Sequence, residues 1–496
     1  MKLLLANPNF KGVVEGPSLG LCSIGTYVKE RSNCEVEIME PILQGITEKQ
    51  LLARAKEADI LGLVCYTESR FQVFDFACKA KEVNPNCKIV IGGPHVYALD
   101  RAILEHYPFV DFIVRGEGEE TILEIIEGKP AEKILGITWR KNSGEVVRNP
   151  DRPLISNIDN LHYDYSLIFP QVREYKELGS PYELQKLNNL PILASRGCPF
   201  QCSFCAANEL WGRMYRGLSP EELVKRLKKL SSDYNIGYFR FYDALFTAND
   251  ARVLKFCDLL KKSNLKIRFR IDIRAGTSRE VLKKLKEVGC DVVGFGVESG
   301  SDKILQKINK RITRKKIEET VNMCKELGYW VHGFFMVSLP DETLEDFEKT
   351  FELFKFFDET NVQFFKIHPN IAFYNELKLK GEISDEVWFD PDYGFQTKYG
   401  NEVYYCKEMF PSANFYKKEV ETILHRVNYN YIAHNRPKTI RQYGLVKGIF
   451  IIFLATAADG ILKTEIGRKF YFELEKENIP KKFYDWFIKK TNSDAG

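Results

Sequence analysis

The chain carries almost no surplus of either charge: across 496 residues, 72 lysines and arginines stand against 68 aspartates and glutamates, a net of +4. No bulk attraction to a polyanion follows, and nucleic acid is not indicated as a partner. No secretory segment is expected at Met1-Lys2-Leu3-Leu4-Leu5, which reads instead as a first strand. Gly448 to Leu462 is apolar but interrupted by Asp459, and it falls short of the roughly 20 residues that span a bilayer. A buried or amphipathic helix is expected there, with interfacial contact to reach a lipid as the sharper alternative. Twelve cysteines would suggest disulfides in a short secreted chain, but nine of them lie scattered outside one dense run. A reducing, anaerobic cytoplasm is therefore expected, with membrane association at most peripheral.

Hydrophobic content of 44% with 28% charged residues is globular, and the length suggests roughly three domains. Over 1–145 strand-like and helical stretches alternate: strands at Lys2 to Pro8, Glu35 to Met39, Ile60 to Tyr66, Lys88 to Gly92 and Phe112 to Val114, with helical spacing between them. Such alternation predicts a doubly wound parallel α/β sheet, which binds ligands at the carboxyl ends of its strands. Residues 146–190 have little periodicity and several prolines, so they read as a linker. From 191 to 375 a second alternation contains six strand–helix units, a partial (β/α)6 barrel whose strand ends would position reacting groups. Residues 376–496 are expected to be mainly helical, with Trp388, Tyr393, Tyr404 and Tyr405 as an aromatic lid or, more plainly, as core.

The dense run is Cys198-Pro199-Phe200-Gln201-Cys202-Ser203-Phe204-Cys205. Its CxxxCxxC spacing lets one loop close three thiolates on a [4Fe–4S] cluster and leaves the fourth iron open for a substrate to chelate. A zinc site would usually need four protein ligands and favours CxxC pairs. The pattern resembles that of the radical SAM enzymes, which implies that Cys198, Cys202 and Cys205 hold the cluster that cleaves S-adenosylmethionine. In the first domain, Gly16-Pro17-Ser18-Leu19-Gly20, Ile91-Gly92-Gly93-Pro94-His95 and Val114-Arg115-Gly116-Glu117-Gly118-Glu119 resemble the PPLG, IGGPH and VRGEGE stretches of the cobalamin-dependent radical SAM family.

That resemblance implies cobalamin contacts from Asn9, Pro17, Leu19, Thr67, Ser69, Gly92, Gly93, Pro94, His95, Gly116, Glu117 and Gly118. No histidine occurs between Asn7 and Gly20, so a lower cobalt ligand of the DxHxxG type is not expected; His95 should cap a loop or touch the corrin rim. For S-adenosylmethionine the resemblance implies Phe204 beside the adenine, Arg274 on the carboxylate, Asp243 as the second-strand acid, and Gly294, Gly296 and Glu298 at the fourth strand end. Gly333 to Thr343 resembles GxxxGLPGET with Ser338 and Asp341 replacing two glycines. In the tail, Arg436-Pro437 resembles a stretch common in these proteins.

The expected activity is C-methylation of an unactivated carbon through methylcobalamin. The alternatives are an oxidative cyclase or carbon–carbon coupling enzyme acting, for instance, on a lipid or tetrapyrrole, and, in another class, a corrinoid carrier or sensor with a structural cluster. An apolar or amphipathic small molecule or lipid is the expected substrate, and a flavodoxin- or ferredoxin-type protein the expected electron donor.

Overall fold

A computed structural model describes residues 1–10, 16–168, 188–207, 211–397, 400–402 and 456–457. Tyr404, Tyr405, Arg436-Pro437 and all but two residues of Gly448 to Leu462 lie outside them, as does most of the expected helical tail. Among the described residues no helix is long and apolar enough to cross a membrane.

Seven strands form the first sheet: β1 (Lys2–Ala6), β2 (Glu35–Met39), β3 (Ile60–Val64), β4 (Lys88–Gly92), β5 (Phe112–Val114), β6 (Ile137–Arg140) and β7 (Val146–Arg148), in the order 2-1-3-4-5-6-7. The first five run parallel. Leu3, Leu4 and Leu5 in succession are buried, as a strand covered by helices on both faces requires. The strand order reverses at β1, so the crevice for a ligand lies outside the carboxyl ends of β1 and β3.

The last two strands of this sheet depart from the sequence reading. β6 pairs antiparallel with β5 and with β7, so 146–148 belongs to the sheet and the crossing segment starts after it. Lys141 and Glu145 close the hairpin, with Gly144 at φ +89°. Three residues of strand carry too little alternation to be read as one.

The second sheet is fully parallel and sequential: β8 (Asn189–Ile192), β11 (Tyr238–Phe241), β12 (Arg268–Ile273), β13 (Cys290–Glu298), β14 (Trp330–Val337) and β15 (Glu359–Phe364). Sequential order with intervening helices makes the partial barrel. Between β8 and β11 a short antiparallel ribbon, β9 (Ser195–Arg196) with β10 (Arg216–Gly217), stands on the barrel. β15 begins three residues before the expected Val362, because Glu359 and Thr360 pair with His332 and Gly333 of β14 although their polarity hides the strand. Several helices start at a side-chain cap, among them Pro220–Tyr234 at Ser219, Arg279–Glu287 at Ser278 and Arg314–Glu326 at Thr313.

After the barrel the chain returns to the first domain. Helix Ala372–Leu379 is followed by a turn of 3₁₀ helix, Asp385–Trp388, which seats Trp388 in full burial. Trp388 donates Nε1–H to Tyr374 Oη at 2.9 Å, its carbonyl accepts Arg70 Nε at 3.0 Å, and its ring meets His95 edge-on at 5.7 Å. Trp388 thus clamps the two domains together rather than lining a lid.

Candidate active site

The cysteine loop is built on the β9–β10 ribbon. Gly197 leaves β9 at φ +84°, where an added Cβ would overlap the Met214 carbonyl oxygen. Only glycine makes that exit, and Cys198 follows immediately. Farther along, Ser203 N donates to Ile308 O at 3.0 Å and Asn309 Nδ2 to Gln201 O at 2.7 Å, so the turn after β13's helix underpins the loop. Cys198, Cys202 and Cys205 are free and half-buried. Burial pushes the Cys205 thiol up, and charge on Cys202 and Cys198 acts in the same direction against the Lys310 ammonium. Among the described residues no three His, Cys, Asp or Glu side chains close on a single ion; thiolates of a cubane each take a separate iron.

Asp243, at the end of β11, faces the base of this loop. It accepts the Ser195 hydroxyl and, at 3.3 Å, the Ala194 N–H. Burial raises its carboxyl to about 6. Arg252 completes the brace with bonds of 2.8 Å to Ala194 O and Leu218 O and 3.0 Å to Tyr215 Oη. Asp243 is thereby placed as a support of the cysteine loop, and Arg252 is a partner that sequence reasoning missed.

At the barrel mouth Glu298 ends β13 in the left-handed region, φ +67°. Its Oε1 meets Lys310 Nζ at 2.8 Å, both side chains being buried, and the Lys310 ammonium stands 5.6 Å from the centre of the Phe204 ring. A Cβ on Gly296 would come within 2.7 Å of Glu298 Oε1 and 2.8 Å of Lys310 Nζ, and one on Gly294 would strike Asp272 Oδ1. Both glycines therefore make room for side chains crossing the strand. Arg274 lays its guanidinium 3.8 Å from the centre of the Phe200 ring, inside the cysteine loop. Its Nη2 is buried with no partner among the described residues. An unpaired guanidinium nitrogen beside the loop suits a ligand carboxylate. Ser338 and Asp341, at φ +66° and +63°, keep the left-handed backbone that glycine would adopt. Lys310 and Phe200 had no motif to announce them.

On the first domain, three buried polar atoms at the carboxyl edge have no partner among the described residues: Asn7 Oδ1 after β1, Ser69 Oγ after β3 and His95 Nε2 after β4. Thr67 Oγ1 lies between two imidazoles, 3.3 Å from His95 Nδ1 and 3.3 Å from His368 Nδ1. A cavity here is lined by Thr67, Glu68, Pro94 and Tyr97 from the first domain and by Ala206, His368 and Pro369 from the second. Thr67, Glu68 and His368 bring polar groups to its wall, as a ligand carrying amides and hydroxyls requires.

Several expected corrin contacts take other roles. His95 is wholly buried behind Thr67, and burial holds its imidazole neutral, so it orients Thr67 rather than meeting a rim. Pro17 and Leu19 are buried, Leu19 in the core. Asn9 and Gly92 flank the same edge, after β1 and at the end of β4. A Cβ on Gly93, at φ +104°, would crowd the Cys65 carbonyl oxygen at 2.8 Å, and one on Gly118 would meet Ile24 Cδ1 at 2.9 Å; Gly116, at φ +72°, faces open space. The carboxylate of Glu117 is spent elsewhere. Oε1 meets Arg196 Nη1 and Oε2 meets Arg216 Nη1, each at 2.8 Å, and Ile155 N donates to Oε2 at 2.7 Å.

A sequence model of the radical SAM superfamily matches residues 192–354, and one of the B12 binding domain matches residues 10–126. An uncharacterized methyltransferase of Pyrococcus horikoshii is 33% identical over 377 residues, covering 73% of this chain and 80% of its own length. The anaerobic magnesium-protoporphyrin IX monomethyl ester cyclase of Rubrivivax gelatinosus is 26% identical over 491 residues, covering 95% and 84%. The solved radical S-adenosylmethionine methyltransferase TsrM of Kitasatospora setae, with cobalamin and a [4Fe–4S] cluster bound, shares the fold at a TM-score of 0.64 and 17% identity, over 82% of this chain and 84% of that one.

Proposed function

The chain belongs to the cobalamin-binding radical SAM enzymes, and from that premise we propose that it methylates an unactivated carbon of a small-molecule substrate. One observation carries the reading: Ala206, next in the chain after Cys205, lines the same cavity as Thr67 and Pro94. A radical made at the cysteine loop would arise facing the first domain's ligand edge, and proximity is what such chemistry demands. When bound, the cluster supplies the electron that cleaves S-adenosylmethionine, and cobalamin supplies the methyl group.

The chain's own residues bind and orient. Cys198, Cys202 and Cys205 would hold three irons, Arg274 Nη2 would take the carboxylate of S-adenosylmethionine, and the Glu298–Lys310 pair with Phe204 would wall its nucleoside. Thr67, Ser69 and Asn7 offer polar atoms to the corrinoid. No side chain is assigned as acid or base, because replacing C–H by C–CH3 in this way moves no proton through the protein. Each turnover balances with two S-adenosylmethionines and two electrons, giving 5′-deoxyadenosine, methionine and S-adenosylhomocysteine beside the product. The electrons call for a flavodoxin- or ferredoxin-type donor, and the substrate we infer is apolar or amphipathic, met in the cytoplasm or at a membrane surface.

Cyclisation is the second reading, favoured by the 95% of the chain that aligns with the Rubrivivax cyclase. The methyltransferase relative is the more similar in sequence, 33% against 26%. Anaerobic reconstitution with iron, sulfide, hydroxocobalamin, reductant and S-adenosylmethionine should yield 5′-deoxyadenosine. An intact cluster that yields none refutes the enzyme reading. With methyl-labelled S-adenosylmethionine and cell extract, label should appear in a product of higher mass; 5′-deoxyadenosine formed without transferred label would favour cyclisation.

A further inference from the structure

Between the first domain and the cysteine loop lies a buried charge network, in which Arg216 Nε and Nη2 have no partner among the described residues. From the first domain come Glu117 and Glu119, at the entrance to helix Glu119–Ile126, and Ser23 of helix Leu19–Arg31. The ribbon contributes Arg196 and Arg216. Arg196 Nη2 meets Glu119 Oε1 at 2.7 Å, Ser23 Oγ at 3.1 Å and Tyr163 Oη at 3.2 Å, while Ser23 Oγ donates to Glu119 Oε1 at 2.6 Å. Arg216 Nη1 also donates to Ile155 O at 2.6 Å. Arg196, Arg216, Glu117, Glu119 and Ser23 are all buried.

The ribbon's own charges work against its register. Arg196 and Arg216 are direct cross-strand partners, two like charges side by side, an arrangement that opposes pairing. Glu117 reconciles them by giving one carboxylate oxygen to each. The stem of the cysteine loop is therefore completed by a residue of the other domain, and Cys198 lies two residues beyond the bridged Arg196.

We propose that Glu117 is a positioning residue: by clamping the β9–β10 ribbon it holds the cluster at one fixed separation from the corrinoid edge of the first domain. The assignment rests on the two-cofactor reading above. Its test uses the full chain, reconstituted anaerobically and loaded with hydroxocobalamin, then reduced so that cobalt(II) and the cluster each carry an unpaired spin. Magnetic dipolar coupling between the two spins reports their separation. The native protein should give one narrow separation, and Glu117→Gln a broadened or shifted one at equal cluster and cobalamin content. Glu120→Gln, which alters a half-exposed carboxylate of the same helix that pairs with Arg152 and not with the ribbon, should match the native protein.

Hydrogen exchange of the cluster-loaded protein without cobalamin gives an independent arm. Glu117→Gln should speed exchange in residues 195–205 and 214–217 by about tenfold, the mark of a local opening made easier. Unchanged coupling together with unchanged exchange overturns the proposal. Should the native protein take up no cobalamin, the proposed function fails and the exchange arm alone decides the clamp. Should Glu117→Gln assemble no cluster, Glu117→Asp decides: it keeps the charge but shortens the carboxylate that bridges Arg196 and Arg216, so it should broaden the coupling or quicken exchange, and a native result from it overturns the clamp.

Discussion

Replacing Gly197 by alanine tests how the cysteine loop is launched. At φ +84° an L-residue costs about 1–2 kcal/mol in left-handed strain alone. The new Cβ would also overlap the Met214 carbonyl oxygen and lie 3.0 Å from its carbon, so the ribbon must open by about 1 Å, a displacement on which catalytic geometry already fails. Opening is resisted, because Arg196 and Arg216 on either side are tied to Glu117. Together these terms predict a loss on the order of 3 kcal/mol and a displaced Cys198. Gly212→Ala is the control: it too has positive φ, +56°, but nothing stands within 4 Å of its Cβ. Denaturant midpoints of the two variants measure the stability difference, and iron and acid-labile sulfide per chain measure cluster assembly. Native iron content in Gly197→Ala, or an equal loss in Gly212→Ala, would refute the reasoning.

Three further outcomes follow from other contacts. The Asp243 carboxyl titrates near 6 instead of its ordinary 3.8 because of burial, so the native state binds the extra proton between those values and loses stability as pH rises from about 4 to 6. That slope amounts to about 3 kcal/mol and should vanish in Asp243→Asn; parallel denaturation profiles for the two proteins across pH 4.5–6.5 would contradict it. Trp388→Ala empties a fully buried site and removes the indole N–H from Tyr374 Oη, with an expected cost of about 3–5 kcal/mol in thermal or denaturant unfolding; a loss below about 1 kcal/mol would show that the clamp contributes little. Lys310→Met strands Glu298 without its partner and should cost about 3 kcal/mol. S-adenosylmethionine binding to the cluster-loaded variant, read by equilibrium dialysis, should weaken at least about tenfold. Adding Glu298→Gln should recover stability but not binding.

Much of the architecture was legible because its signals are local. β4, β5 and β14 fall where the sequence places them, and the three cysteines share one loop. What escaped is what the chain brings together over distance. Glu117 lies in a stretch that resembles a corrin-facing loop, yet its partner Arg196 is 79 residues away, and no spacing rule connects them. The glycines mislead for a related reason. A glycine at a strand end suggests backbone approach by a ligand, but Gly93, Gly118, Gly294 and Gly296 each give way to an atom of the chain itself. Only the side chain that occupies the space distinguishes the two explanations. Likewise Trp388 in an aromatic tail reads as core or lid, core being the plainer, until Arg70, His95 and Tyr374 surround it.

The joint between the domains uses two kinds of contact, and they do different work. Trp388 supplies apolar area, which favours closure but is non-directional and so tolerates a slide between the domains. Glu117, Glu119, Arg196 and Arg216 supply little net stability, since burying ions costs roughly what their attraction returns. Their value lies in intolerance: a shift of either partner by one hydrogen-bond length strands a buried charge at a cost of about 3–5 kcal/mol. For an enzyme whose radical must reach one particular neighbour, a register that cannot slip is worth more than a tighter joint. Replacing all four charged residues by apolar ones of similar size should therefore leave stability near or above the native value while widening the distribution of cluster-to-cobalt separations, and a stable variant with a native, narrow separation would show that shape alone sets the register.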